Sequence, residues 1–212
     1  MKLSTMLSLA TMLAACHSSP PVRFFTLDPV PSSRQTTNMS DVSVQVGAVH
    51  VPLVLDRQQM VREGAPNSLT ISNQNRWGAP LADMVRDVLT RDLIERLPKG
   101  TVVLPETAAP PGTGVIAVDI LHFGSDPSGT ASFDGSWSLA LADSDAPVSV
   151  RHVALSERTE QNDYAGDARA MSRLVGRLAD EMAGVLRLFD VGEAEPAPGY
   201  RYEAPIAPED FL

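Results

Sequence analysis

Thr130-Ala131-Ser132-Phe133-Asp134-Gly135-Ser136-Trp137-Ser138-Leu139-Ala140-Leu141 carries the clearest pattern in the chain. Ala131, Phe133, Gly135, Trp137, Leu139 and Leu141 alternate with Ser132, Asp134, Ser136 and Ser138. Strand side chains point to opposite faces in turn, so this period of two predicts a strand with one buried and one solvated face. Trp137 falls on the apolar side and reads as a core anchor. Asp143 to Ala146 then turns, and Val148 to Glu157 returns antiparallel. Upstream, Val115 to Phe123 is apolar at most positions, which predicts a central strand buried on both faces.

Working outward, Phe24 to Leu27 reads as a short first strand and 29–41 as a loop. Val42 to Val51 alternates as a strand. Met60 to Glu63 and Ser68 to Ser72 flank Gly64-Ala65-Pro66-Asn67 and predict a hairpin. From Pro80 the period changes: Leu81, Met84, Val85, Val88, Leu89, Leu93 and Leu97 repeat at helical spacing until Pro98 and Gly100. Thr101 to Leu104 predicts a short strand, and Asp167 to Phe189 a long helix. Hairpins replace regular βα alternation in this order. The expected fold is therefore α+β: a mixed, mainly antiparallel sheet with two amphipathic helices packed on one face.

The N-terminus reads as an export signal. Lys2 precedes the apolar run Leu3 to Leu13, and the small residues Ala14 and Ala15 lead into Cys16. The run is shorter than the roughly 20 apolar residues that cross a bilayer. Leu13-Ala14-Ala15-Cys16 resembles a lipobox, and Cys16 is the single cysteine of 212 residues, which excludes an intramolecular disulfide. The expected organisation is a signal peptide over 1–15, a lipidated tether over 16–22, an α+β periplasmic domain over 23–189, and an acidic, Pro-rich, disordered tail over 190–212. His17 after the cysteine favours the outer membrane, by resemblance to sorted lipoproteins. Tyr200, Tyr202, Ile206 and Phe211 lie in the tail and are alternative docking residues.

A formal charge of −9 with no Lys/Arg cluster along the chain disfavours nucleic-acid partners and direct adhesion to anionic lipid. Enzyme signatures are missing: there is no phosphate-binding Gly-rich loop and no nucleophile elbow. His17, His50, His122 and His152 lie far apart in sequence, so no helical metal site is expected. His122 and His152 are expected on strands, where a structural pair across the sheet is the economical reading. Asp119, within an apolar strand, is a candidate buried carboxylate. Trp77, at a loop-to-helix junction, is expected beneath the helix start. No catalytic residue, cofactor or metal is expected.

Four ordered stretches carry a family resemblance: Phe24-Phe25-Thr26-Leu27; Leu55-Asp56-Arg57-Gln58-Gln59-Met60-Val61; Trp77-Gly78-Ala79-Pro80-Leu81 opening a helix; and Gly135-Ser136-Trp137 on a strand. Over about residues 13–189 the chain resembles the ABC-type transport auxiliary lipoproteins, the PqiC-like, MCE-associated group. Phe25, Leu27, Leu55, Asp56, Arg57, Trp77, Pro80, Leu81 and Trp137 are the matching positions. Gln58 stands where members often have proline, and Gly78 where alanine is commoner. The resemblance implies a non-enzymatic lipoprotein of the outer membrane, facing the periplasm. Its implied partners are an MCE-domain protein and the components of an ABC transporter moving lipid between membranes, with homo-oligomers possible. The alternative reading is a structural lipoprotein assisting assembly of another envelope complex; a periplasmic hydrolase pairing a serine with His50, His122 or His152 is a third.

Overall fold

The computed structural model describes residues 20–32, 43–144 and 147–187. The expected signal peptide, Cys16 and the acidic tail lie outside the described residues. Ten elements follow one another: β1 (Arg23–Phe25), β2 (Val44–His50), β3 (Gln59–Glu63), β4 (Leu69–Trp77), α1 (Leu81–Arg96), β5 (Val102–Val103), β6 (Gly114–Ser125), β7 (Thr130–Leu141), β8 (Pro147–Arg158) and α2 (Tyr164–Leu186). The fold is α+β, and its strands divide into two mixed sheets: β1-β4-β3, and β5-β2-β6-β7-β8. The larger one joins parallel β5, β2 and β6 to the antiparallel meander β6-β7-β8.

The alternation over 130–141 is β7 itself, with Ala131, Phe133, Trp137 and Leu139 buried. A Cβ on Gly135 would lie 2.5 Å from the Asp119 carbonyl oxygen and 3.2 Å from Ile120 Cα. Glycine there lets β6 come close. β6 departs from expectation: it alternates, and Asp119 is exposed rather than a buried carboxylate. Ile116, Val118 and Ile120 point inward. The register then slips between Ile120 and His122, and Phe123 resumes the buried set. Such a bulge adds one residue to one strand. Leu121 keeps the outward phase of Ala117 and Asp119 and is 68% exposed, while the slip returns Phe123 to the core.

Pro80 lies at the start of α1, where its missing N–H costs no helical hydrogen bond. Asp83 in the first turn and Arg96 in the last complement the helix dipole. α2 begins three residues before the expected Asp167 because Asp163 is its cap, its carboxylate accepting from the Gly166 N–H at 2.7 Å. α1 contacts β2 and β5, α2 contacts β6, β7 and β8, and the helices contact each other. Leu89 and Leu93 from α1 and Leu174, Leu178 and Met182 from α2 share one core with Trp77, Trp137 and the edge-to-face pair Phe123–Phe133.

Candidate functional site

Three of the four family stretches converge on the small sheet. Phe25 pairs with Trp77 across β1 and β4, and the Gly78 N–H donates to the Phe25 carbonyl at 2.8 Å. The Trp77 N–H donates to the Gln58 carbonyl at 2.7 Å. Leu27, Trp77 and Leu81 are buried, Phe25 and Leu55 are half-buried against the core, and Arg57 is half-buried. Asp56 and Pro80 are exposed. Trp137 stands apart, in the core beneath β7. The shared positions thus build a joint that fixes the β2–β3 loop.

That loop presents the most exposed large apolar side chain among the described residues. Pro52 starts a tight turn, its carbonyl accepting from Leu55 N at 2.8 Å and Asp56 N at 3.2 Å. Leu55 turns inward, while Leu53 points out at 87% exposure. Val54, Leu55, Val61, Leu69, Leu121 and Phe123 line a shallow groove beside it together with Arg62, Glu63 and His122, and Ile71, paired with Val61, is also exposed. Leu53, Val54, Leu69, Ile71 and Leu121 are thus large apolar side chains left in solvent on neighbouring elements, and exposed apolar groups that gather in this way mark interaction sites. The sequence reading missed Leu53, Leu69, Ile71 and Leu121. The signal for Leu121 was available: it stands two residues after Asp119, on the outward phase of a strand whose inward phase is Ile116, Val118 and Ile120.

The neighbouring groove mixes polar and apolar side chains: Glu63, His122, Ser132, Asp134 and Ser156 line it with Phe133 and Leu155. His122 Nδ1 lies 3.4 Å from Glu63, and His152 Nε2 lies 2.8 Å from Asp134. The histidines do not meet, because β7 runs between their strands. Among the described residues no group of three or more His, Cys, Asp or Glu is placed to hold a metal. No hydrogen bond joins Ser132, Ser136 or Ser156 to either ring.

Two buried ionic links brace this architecture. Arg62 on β3 sets its guanidinium against both carboxylate oxygens of Asp167 at 2.6 and 3.0 Å, and stacks over Tyr164 at 5.2 Å. This ties the small sheet to the start of α2. Arg96, at the end of α1, donates to Asp180 at 2.7 Å, to the Asp92 and Val30 carbonyls at 2.9 and 3.3 Å, and to the Gly176 carbonyl at 3.1 Å. The Val30 N–H donates to Asp92 Oδ1 at 2.9 Å. A Cβ on Gly176 would lie 3.0 Å from Val30 Cβ, so this helical glycine makes room for the loop. Together these contacts latch the segment after β1 across both helices.

Burial pushes the Asp92 carboxyl up to about 6, with the Val30 N–H and Arg96 opposing and Glu95 and Asp180 reinforcing the rise. A carboxyl raised from 3.8 to about 6 favours folding most when protonated. That contribution is complete below 3.8 and is lost as pH rises through about 6. The stability of the protein relative to its Asp92→Asn variant should therefore grow by about 3 kcal/mol from pH 7 to pH 3.8, at 1.36 kcal/mol per unit. Urea unfolding of both proteins across this range reads it directly. A difference that stays flat with pH would exclude Asp92 as a titrating latch.

Two solved structures share this α+β fold. One is the crystal structure of an uncharacterized protein, 18% identical, with a TM-score of 0.64 over 79% of this chain and 99% of that one. The other is a Xanthomonas campestris protein of the DUF330 family, 17% identical, with a TM-score of 0.64 over 79% of this chain and 95% of that one. No curated protein matches. The family model of the ABC-type transport auxiliary lipoprotein component matches residues 25–183, and the chain belongs to that family. Among the described residues no helix is long and apolar enough to cross a membrane.

Proposed function

We propose that the chain is an outer-membrane-anchored periplasmic lipoprotein that docks an MCE/ABC-type lipid transport complex at the membrane, without enzymatic activity. The observation that carries the docking role is the exposed apolar surface around Leu53 and Leu121, held by the joint that the family positions build. Family membership supports the transport partner. Lipid crossing water needs a shielded path, because each exposed CH₂ costs about 0.8 kcal/mol. A domain tethered through an acylated Cys16 would raise the local concentration of the docking surface there.

The test is affinity purification of the tagged protein from the envelope. MCE protein and ABC components should co-purify, and a Leu53→Asp/Leu121→Asp variant should lose them at least tenfold without a change in thermal unfolding. Both side chains are solvated, so the fold should tolerate the exchange. Cys16→Ser should abolish labelling by a palmitate analogue and release the domain to the soluble fraction. Secretion components in place of MCE protein would favour the assembly role instead.

A further inference from the structure

We infer that residues 199–204 of the chain's own acidic tail pair as an added strand with the bare half of the β8 edge, residues 150–154. β8 is twelve residues long and forms the edge of its sheet, pairing among the described residues with β7 alone. Thr159 N donates to Gly129 O at 2.9 Å, continuing the ladder in which Arg158 faces Thr130. Odd-numbered residues of β8 therefore bond to β7, and even-numbered ones turn their N–H and C=O groups outward. The outward carbonyls of Ser156 and Arg158 accept from Arg177 at 2.6 Å and Arg173 at 3.3 Å, so α2 covers that half of the edge. The outward groups of Val150, His152 and Ala154 have no partner among the described residues. Unpaired edge groups are a template for another strand.

The tail leaves the described residues beside this bare half. Arg173 reaches Arg158 and Arg177 reaches Ser156, so α2 runs opposite to β8 and approaches its first half as it proceeds. From Arg177 to its end at Leu186 the helix advances about 13 Å, the length of roughly four strand residues. α2 therefore ends near the level of His152. Residues 188–198 span up to about 35 Å when extended, enough to reach any point of the bare half.

Charge selects this occupant. Arg151 is exposed on the face of its cross-strand neighbour Trp137, and no acidic group pairs with it among the described residues. Together with Arg158, Arg173 and Arg177 it outnumbers Glu157 and Glu160, an excess of positive charge that repels a second copy of the same edge. The tail is complementary: Asp190, Glu193, Glu195, Glu203, Glu209 and Asp210 outnumber Arg201. Within it, residues 199–204 lie between Pro198 and Pro205 and contain no proline, so every N–H there is free to donate. Tyr200 and Tyr202 alternate with Arg201 and Glu203, and tyrosine favours strands. Paired in phase, the tyrosines pack on Val150 and Ala154, both exposed on the opposite face from Trp137, and Glu203 falls on the face of Arg151. A short tether holds such a segment at millimolar effective concentration, so weak pairing suffices.

Hydrogen exchange of the full chain carrying Cys16→Ser, followed by NMR at single amides, tests this. The N–H groups of Val150, His152 and Ala154 should exchange at least tenfold more slowly than in a Tyr202→Pro variant, whose proline interrupts the added strand. Position 202 lies outside the described domain, so thermal unfolding should not change. Glu203→Arg should free the same amides, because it sets a second positive charge beside Arg151. Protection should be independent of protein concentration, since the segment belongs to the same chain. Free exchange of these amides in the parent protein would overturn the inference. So would protection that survives both variants, which would assign the cover to another segment, or protection that grows with concentration, which would assign it to a second copy.

Discussion

Arg96→Ala should lower the unfolding free energy by about 3–5 kcal/mol, the range for breaking a buried ion pair from one side. The guanidinium is 2% exposed and Asp92 fully buried, so no water replaces what is lost. Asp92 Oδ2 already lacks a partner, and without Arg96 the whole carboxylate keeps only the Val30 N–H. Combining Arg96→Met with Asp92→Leu should recover most of the loss, because no charge is then stranded. Urea denaturation of the three proteins measures both effects. A single-variant loss under about 1 kcal/mol would mean that the latch contributes little to folding.

Trp137→Ala should cost about 3–5 kcal/mol for a different reason, the cavity left by a large buried ring. Trp137 is 1% exposed and belongs to the continuous core between the sheet and the helices. No charge is stranded in this case, so its penalty should not vary with pH between 7 and 4. Near-neutral stability combined with loss of partner binding would move the indole from the core to an interface.

Much of the fold was legible because one rule applied locally. In β7 the parity holds from Thr130 to Ala140 and places Trp137 without ambiguity. The helices were legible from their spacing, although the α2 start depended on Asp163, a cap whose role shows only in the Gly166 hydrogen bond. β6 was misread because its outward residues include Ala117 and Leu121, so the apolar run looked two-sided. The division into two sheets was not legible, since the parallel pairing of β1 with β4 joins residues about fifty positions apart.

The candidate surface was the least legible part. Leu53 is one leucine in an apolar loop, and nothing in Pro52-Leu53-Val54-Leu55 says which side chain turns out. The Pro52 turn decides it. Arg62, Arg96 and Asp167 were equally silent, because charged residues on amphipathic elements read as solvated until a partner from another element reaches them. Asp92 and Arg96 do stand four apart on α1, a spacing that sequence alone can flag as a pair. Their burial cannot be read from it.

The latch after β1 also determines how the domain answers a pull. Tension entering from the N-terminal side reaches Arg23 first and runs along β1, which lies parallel to β4. The β1–β4 hydrogen bonds are then strained together in shear instead of unzipping singly. Beyond them the strain meets the Val30 segment, which Arg96 and Asp92 grip on both its amide and its carbonyl. A domain tugged from that end should yield abruptly and at high force, whereas one tugged from the α2 end should fray turn by turn.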